Sequence, residues 1–148
     1  MSNDWHPLII AMKKKGFYMS RRELREWIFQ TLFRMEFHDK EEYEKQLEMI
    51  FETEEMSEED KAYAKNKVLD IIAHIEEIDA VINEVAKGWK TSRMAKVDLT
   101  IMRLAVYEIR YEEDIPTKVA INEAVEMAKK YGTDTSSSFV NGILAKIA

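Results

Sequence analysis

The clearest signal of the fold class lies in residues 96–110, which read Lys96-Val-Asp-Leu-Thr-Ile-Met-Arg-Leu-Ala-Val-Tyr-Glu-Ile-Arg110. The apolar residues of this stretch recur on nearly every face of a helix with 3.6 residues per turn. Because a helix that is apolar on most faces must be covered by other helices, the stretch predicts the central helix of an all-α fold. Only 4 Gly and 2 Pro in 148 residues also disfavour a sheet-and-turn architecture.

Apolar residues at helical spacing continue through the rest of the chain and predict about seven helices and no strand. Ser20 and Glu23 match a capping box at the start of the first helix. A long helical pattern that ends at Gly88 is expected to break near Glu76-Glu77. We expect an N-terminal extension that packs little against the fold, followed by two helical subdomains; these are residues 1–18, 19–75 and 76–148.

Composition excludes several classes of protein. The chain has no cysteine, which excludes disulfides and cysteine-based zinc sites and fits a reducing cytoplasm. No apolar run approaches the roughly 20 residues that span a bilayer, so we expect a cytoplasmic protein without a membrane segment. His6, His38 and His74 lack metal-ligand spacing. With no nucleophile motif and no phosphate loop, the sequence predicts no enzyme, no catalytic residue, no metal and no cofactor.

The charge of the chain is unevenly distributed. The net charge is −6, but residues 36–60 alone contain 12 acidic and 2 basic side chains. The rest of the chain holds 20 basic and 16 acidic side chains, a balance of +4. Since phosphate binding depends on the potential within about 8–10 Å, an acidic chain of this kind can still bind RNA.

Three arginines crowd the start of the first predicted helix: Arg21, Arg22 and Arg25. Cations at that end oppose the helix dipole at about 0.3–1 kcal/mol each, whereas the planar guanidinium suits phosphate. Arg22 and Arg25 share a stripe with Phe29 and Phe33, and basic groups beside aromatic rings suit single-stranded RNA. Spacing alone nevertheless favours a solvated basic turn with both phenylalanines in the core.

Polar residues inside apolar helices form a second set, which consists of Arg103, Glu108, Glu123 and Asn141. Because buried charges are rarely left unpaired, the pattern favours a structural polar network over a catalytic carboxylate pair. A hydroxyl-rich loop, residues 133–138, precedes the last helix, and such loops cap a helix more often than they bind phosphate. Gly142 within the last helix predicts a close approach of another helix.

Three segments of the chain together resemble the NusB family: Val97–Glu108, Val119–Lys129 and Phe139–Gly142. The resemblance covers about residues 19–148. It implies an all-α transcription antitermination adaptor built from two helical subdomains. Such adaptors bind the single-stranded boxA sequence of ribosomal RNA leader transcripts together with the ribosomal protein NusE, and they join the elongating RNA polymerase.

The resemblance also implies which residues bind. The implied RNA-binding residues are Arg21, Arg22, Arg25, Phe33, Thr135, Ser136 and Phe139. Asp98 matches an acidic position at the edge where NusE and RNA meet. Glu23 stands where a further basic residue can occur in the family. Phe33 takes a position that can be tyrosine, and it keeps the ring and loses the hydroxyl.

Two alternatives stay open beside the adaptor. The same helical domain occurs at the N-terminus of some RNA cytosine methyltransferases, but the chain has no nucleotide-binding βαβ segment and no catalytic cysteine. A different class is a helical homo-oligomerisation or protein-interaction module without RNA binding, because some family members form homodimers that cover the RNA surface. RNA binding that weakens steeply with salt would distinguish the adaptor from the homodimer.

Overall fold

The computed structural model describes residues 19–148, and all regular structure in that range is helical. Within residues 19–148, two short 3-10 helices, Lys40–Glu42 and Thr91–Arg93, accompany seven α-helices. The α-helices are α1 (Arg21–Met35), α2 (Tyr43–Thr53), α3 (Glu58–Ala73), α4 (Ile75–Val85), α5 (Lys96–Tyr111), α6 (Thr117–Tyr131) and α7 (Ser136–Ile147). The all-α prediction is confirmed, while the predicted extension, residues 1–18, lies outside the described residues.

Contacts within the chain divide it into two compact units, with the boundary between Val68 and Leu69. The sequence placed the boundary near residue 75, whereas these contacts place it within α3. The helical pattern breaks at His74, between α3 and α4, close to the predicted break. None of the helices formed by the described residues is long and apolar enough to cross a membrane.

In the first unit, the predicted capping box sets the start of α1. The Ser20 hydroxyl accepts the backbone N–H of Glu23 at 3.1 Å, and the Glu23 carboxylate accepts the backbone N–H of Ser20 at 3.0 Å. Further along α1, Trp27 packs against Phe51 of α2 with ring centroids 4.8 Å apart. Leu24, Ile28, Leu32 and Met35 are also buried, and their helical spacing places them on one face of α1, which forms its core side.

In the second unit, α5 is the central helix, because it packs against α4, α6 and α7. An ion pair joins it to α4. The Arg103 guanidinium donates from Nε to Asp79 Oδ1 at 2.9 Å and from Nη2 to Oδ2 at 2.7 Å. Both side chains are mostly buried, so this bidentate pair fixes the register of α4 against α5. Tyr107 of α5 likewise donates its hydroxyl to the Asp70 carboxylate at 2.5 Å.

Two glycines of the second unit are explained by different constraints. Gly88 follows α4 with φ +86°, a left-handed conformation that favours glycine. Gly132 ends α6 in extended backbone, but a Cβ there would overlap the Ser136 hydroxyl and lie 2.8 Å from the Ala128 carbonyl oxygen. At Gly142 a Cβ would meet nothing within 4 Å, so the close helix approach predicted there is wrong.

Candidate nucleic-acid interface

Two of the three arginines predicted to bind RNA lie on the surface at the start of α1. Arg21 and Arg22 are exposed, whereas Arg25 is only 8% exposed. A side chain that is buried to this extent offers little of its guanidinium to a phosphate. The arginine cluster accessible to a ligand therefore consists of Arg21 and Arg22.

Phe33 lies in a row of three rings along α1 and the turn that follows it. Its ring stacks on that of Phe29 with centroids 6.2 Å apart and meets the edge of Phe37 at 5.2 Å. Phe29 is buried, Phe33 is half-buried and Phe37 is 65% exposed, so the row passes from the interior to the surface. The core placement that spacing favoured therefore holds for Phe29 and only in part for Phe33.

Arg22 and Phe33 point to the same side of α1, because 11 residues make about three helical turns, roughly 16 Å along the axis. We call Arg21, Arg22 and Phe33 the α1 surface. The acidic stretch, residues 36–60, contacts both ends of this surface: Phe37 packs on Phe33, and the Asp60 carboxylate accepts the backbone N–H of Met19 at 2.9 Å, two residues before Arg21. The groups of the α1 surface that can attract phosphate are the two arginines at its start.

The loop before α7 is organised by its own hydroxyl groups. Ser136 is 2% exposed, and its hydroxyl accepts the backbone N–H of Thr133 at 2.9 Å. Ser136 therefore positions the loop and offers no accessible group to a ligand in this conformation. Thr135 is exposed and stands at the N-cap of α7, but its side chain makes no capping hydrogen bond.

Phe139, the remaining predicted RNA residue, is half-buried and contacts a ring that sequence reasoning missed. The Trp89 indole meets it edge-on, with centroids 6.1 Å apart, and Trp89 is 59% exposed. Trp89 also lines an open cavity of about 540 Å³ together with Asn83, Gly88, Lys90 and Arg93. We call these five residues the Trp89 pocket. One feature of the sequence could have indicated this pocket: residues 85–97 contain four basic and no acidic side chains.

Asp98, the predicted partner-binding residue, lies in the first turn of α5 and is 9% exposed. An acidic group there stabilises the helix through a favourable interaction with the helix dipole. Its Oδ1 atom is nevertheless buried without a hydrogen-bond partner among residues 19–148. An unpaired buried carboxylate oxygen has lost its hydration without compensation, so the helix dipole explains this position only in part.

Arg103, a member of the predicted polar network, forms an ion pair with a residue outside the predicted set. Arg103 pairs with Asp79, a residue that the sequence did not single out. Glu108 is 1% exposed, as expected for a buried polar residue. Asn141 is exposed, so its predicted place in the helical interior is wrong. The participation of Glu108 and Glu123 in one network stays a prediction.

Exposed arginines and aromatic rings are features that single-stranded RNA binders use. The NusB family profile matches residues 22–148. A transcription antitermination protein NusB of Agathobacter rectalis is 57% identical over 131 residues, which are 88% of this chain and 100% of that protein. The chain therefore belongs to the NusB family.

Solved structures agree with this assignment. T. maritima NusB superposes with a TM-score of 0.79 and 39% identity, covering 88% of this chain and 92% of that one. Antitermination factors NusB and NusE in complex with double-stranded RNA give a TM-score of 0.70 and 26% identity, covering 86% and 94% of the two chains. The family resemblance inferred from the sequence is confirmed.

Proposed function

We propose that this chain is a transcription antitermination adaptor that binds boxA-type leader RNA together with the ribosomal protein NusE and joins the elongating RNA polymerase. The observation that carries the proposal is the exposure of Arg21 and Arg22 at the start of α1. Family membership supports it, because a relative of similar fold forms a complex of NusB, NusE and RNA.

The capping of α1 does not depend on these arginines. Its start is capped by the reciprocal hydrogen bonds of Ser20 and Glu23. Exposed cations at that end oppose the dipole by about 0.3–1 kcal/mol each. The guanidinium group of arginine is planar and donates two parallel hydrogen bonds that match phosphate oxygens. Binding to an RNA backbone therefore accounts for two arginines at a position that the helix dipole disfavours.

We assign the second RNA contact to Thr135 and Phe139, which are accessible at the start of α7. We assign Asp98 to the NusE contact. Its unpaired Oδ1 supports that assignment, because a donor from a partner would compensate the lost hydration after a small side-chain rotation. Membership of the NusB family supports recruitment to RNA polymerase.

A binding titration tests the function. The chain is titrated with a boxA-like single-stranded RNA, with and without NusE, over a series of salt concentrations, and a scrambled RNA of the same composition is the control. We expect tighter binding to the boxA-like RNA, a further gain with NusE, and affinity that falls steeply as salt rises. An RNA-free homodimer that binds neither RNA at any salt concentration would contradict the proposal and support the oligomerisation module.

A double variant tests the α1 surface. Arg21→Ala with Arg22→Ala should weaken RNA binding tenfold or more and flatten the salt slope by about 0.7 for each phosphate that the variant no longer neutralises. Arg25 is left unchanged because its burial would confuse weaker binding with impaired folding. The matched control replaces two other exposed cations, Lys118→Ala with Lys146→Ala. An equal decrease in affinity in both double variants would show that only net charge matters.

A further inference from the structure

The indole of the Trp89 pocket is more exposed than packing within the fold requires. Large aromatic side chains are usually mostly buried, yet Trp89 is 59% exposed. The edge-on contact with Phe139 covers only part of the ring. The cavity beside it measures about 540 Å³, within the range of roughly 300–1,000 Å³ typical of small-ligand sites.

The loop that carries Trp89 is held from within. The backbone N–H of Thr91 donates to Asn83 Oδ1 at 2.9 Å, and Thr91 is buried. Met94, which follows, is buried as well. Gly88 turns the chain with φ +86°, and the backbone N–H of Trp89 donates to the Ala86 carbonyl at 2.7 Å. These contacts fix the loop on both sides of Trp89, so the folded loop itself holds the indole in its outward position.

The rim of the Trp89 pocket is cationic. Lys90 and Arg93 line the cavity, and Lys87 precedes it in the chain. All three side chains are exposed, and none of them forms an ion pair with a carboxylate of residues 19–148. A ring face and unpaired cations within one short loop match the base and the flanking phosphates of a nucleotide.

We propose that the Trp89 pocket is a nucleotide subsite for single-stranded RNA, in which Trp89 stacks on one base and Lys90 and Arg93 contact the adjacent phosphates. The inference rests on the proposed function and extends it, because the RNA path would pass from Phe139 to Trp89. A duplex does not fit, since its bases are already stacked on one another. Exposed rings take up the unstacked bases of single strands.

Variants at Trp89 separate base stacking from phosphate attraction. Full-length protein is titrated with a boxA-like RNA and with the same RNA carrying abasic nucleotides. Trp89→Ala should weaken binding to the intact RNA about tenfold, which corresponds to about 1.4 kcal/mol, and should barely change binding to the abasic RNA. Trp89→Phe keeps a ring and should retain most of the affinity. Lys90→Ala with Arg93→Ala should weaken binding to both RNAs.

Indole fluorescence gives a measurement that does not depend on the alanine variant folding. RNA should quench the fluorescence of the unaltered protein, and the quenching should be largely abolished in Trp89→Phe. The subsite is overturned if the Trp89 variants bind and quench like the unaltered protein. If Arg21→Ala with Arg22→Ala still binds more weakly in that case, the proposed function stands. If an acidic peptide of equal charge displaces the RNA, the pocket binds anions in general, and the nucleotide subsite is overturned. Failure of the unaltered protein to bind either RNA overturns both proposals.

Discussion

The starts of α1 and α7 were both predicted to face RNA, and their polar residues are used differently. At α1 the capping box is formed by Ser20 and Glu23, and the neighbouring Arg21 points outward. At α7 the buried Ser136 hydroxyl holds the loop by accepting the Thr133 N–H. One helix start thus carries a cation that its stability does not need, and the other carries a hydroxyl that its loop does need.

This difference gives a criterion for choosing between structural and binding roles. A polar residue whose hydrogen bonds are made inside the chain, such as Ser136, is accounted for by folding. An exposed residue that opposes the local helix dipole, such as Arg21, is not accounted for in that way. The criterion predicts opposite signs for stability when residues of the two kinds are replaced.

The largest effect on stability is expected at the α7 loop. Gly132→Ala places a Cβ against the Ser136 side chain and 2.8 Å from the Ala128 carbonyl oxygen, so the loop must shift. We expect the free energy of unfolding to fall by about 1–3 kcal/mol, as for other overpacked sites. Urea unfolding followed by circular dichroism measures it from the midpoint at unchanged slope.

Gly142→Ala is the matched control for that substitution, because a Cβ there meets nothing within 4 Å. It should raise the free energy of unfolding by about 0.5–1 kcal/mol, the usual gain for glycine to alanine within a helix. If Gly132→Ala also stabilised the protein, the tight contact with Ser136 would not exist in solution.

A smaller pair of effects with opposite signs is expected at the start of α1. Ser20→Ala removes the capping hydroxyl and should lower the free energy of unfolding by about 1 kcal/mol while leaving RNA affinity unchanged. Arg21→Ala should raise the free energy of unfolding by about 0.3–1 kcal/mol at low salt and weaken RNA binding. Thermal unfolding and RNA titration of both variants measure the four quantities. A decrease in stability in Arg21→Ala would assign that residue to the fold instead.

The helices could be predicted from the sequence because their signals are local. The apolar pattern of α5, the Ser20–Glu23 box and the break near His74 each depend on residues within a few turns of one another. The family could be inferred for a similar reason, since its motifs are continuous segments. These features need no knowledge of which helices pack together.

The contacts between helices could not be predicted, because they join positions far apart in the chain. Asp79 and Arg103 are 24 residues apart, and nothing in either helix singles out the partner. Trp89 meets Phe139 only because α4, α5 and α7 pack together in the second unit. The burial of Arg25 and Ser136 likewise depends on neighbours that the spacing of residues in one helix does not reveal.

The most direct test of RNA binding at these surfaces is a map of backbone amide chemical shifts as boxA-like RNA is added to the isotope-labelled chain. A protein of 17.4 kDa is well suited to this measurement. We expect the largest changes at Arg21 and Arg22, at Thr135 and Phe139, and at the Trp89 indole N–H, with smaller changes across residues 36–60. Large changes confined to residues 36–60, with the start of α1 unperturbed, would contradict it.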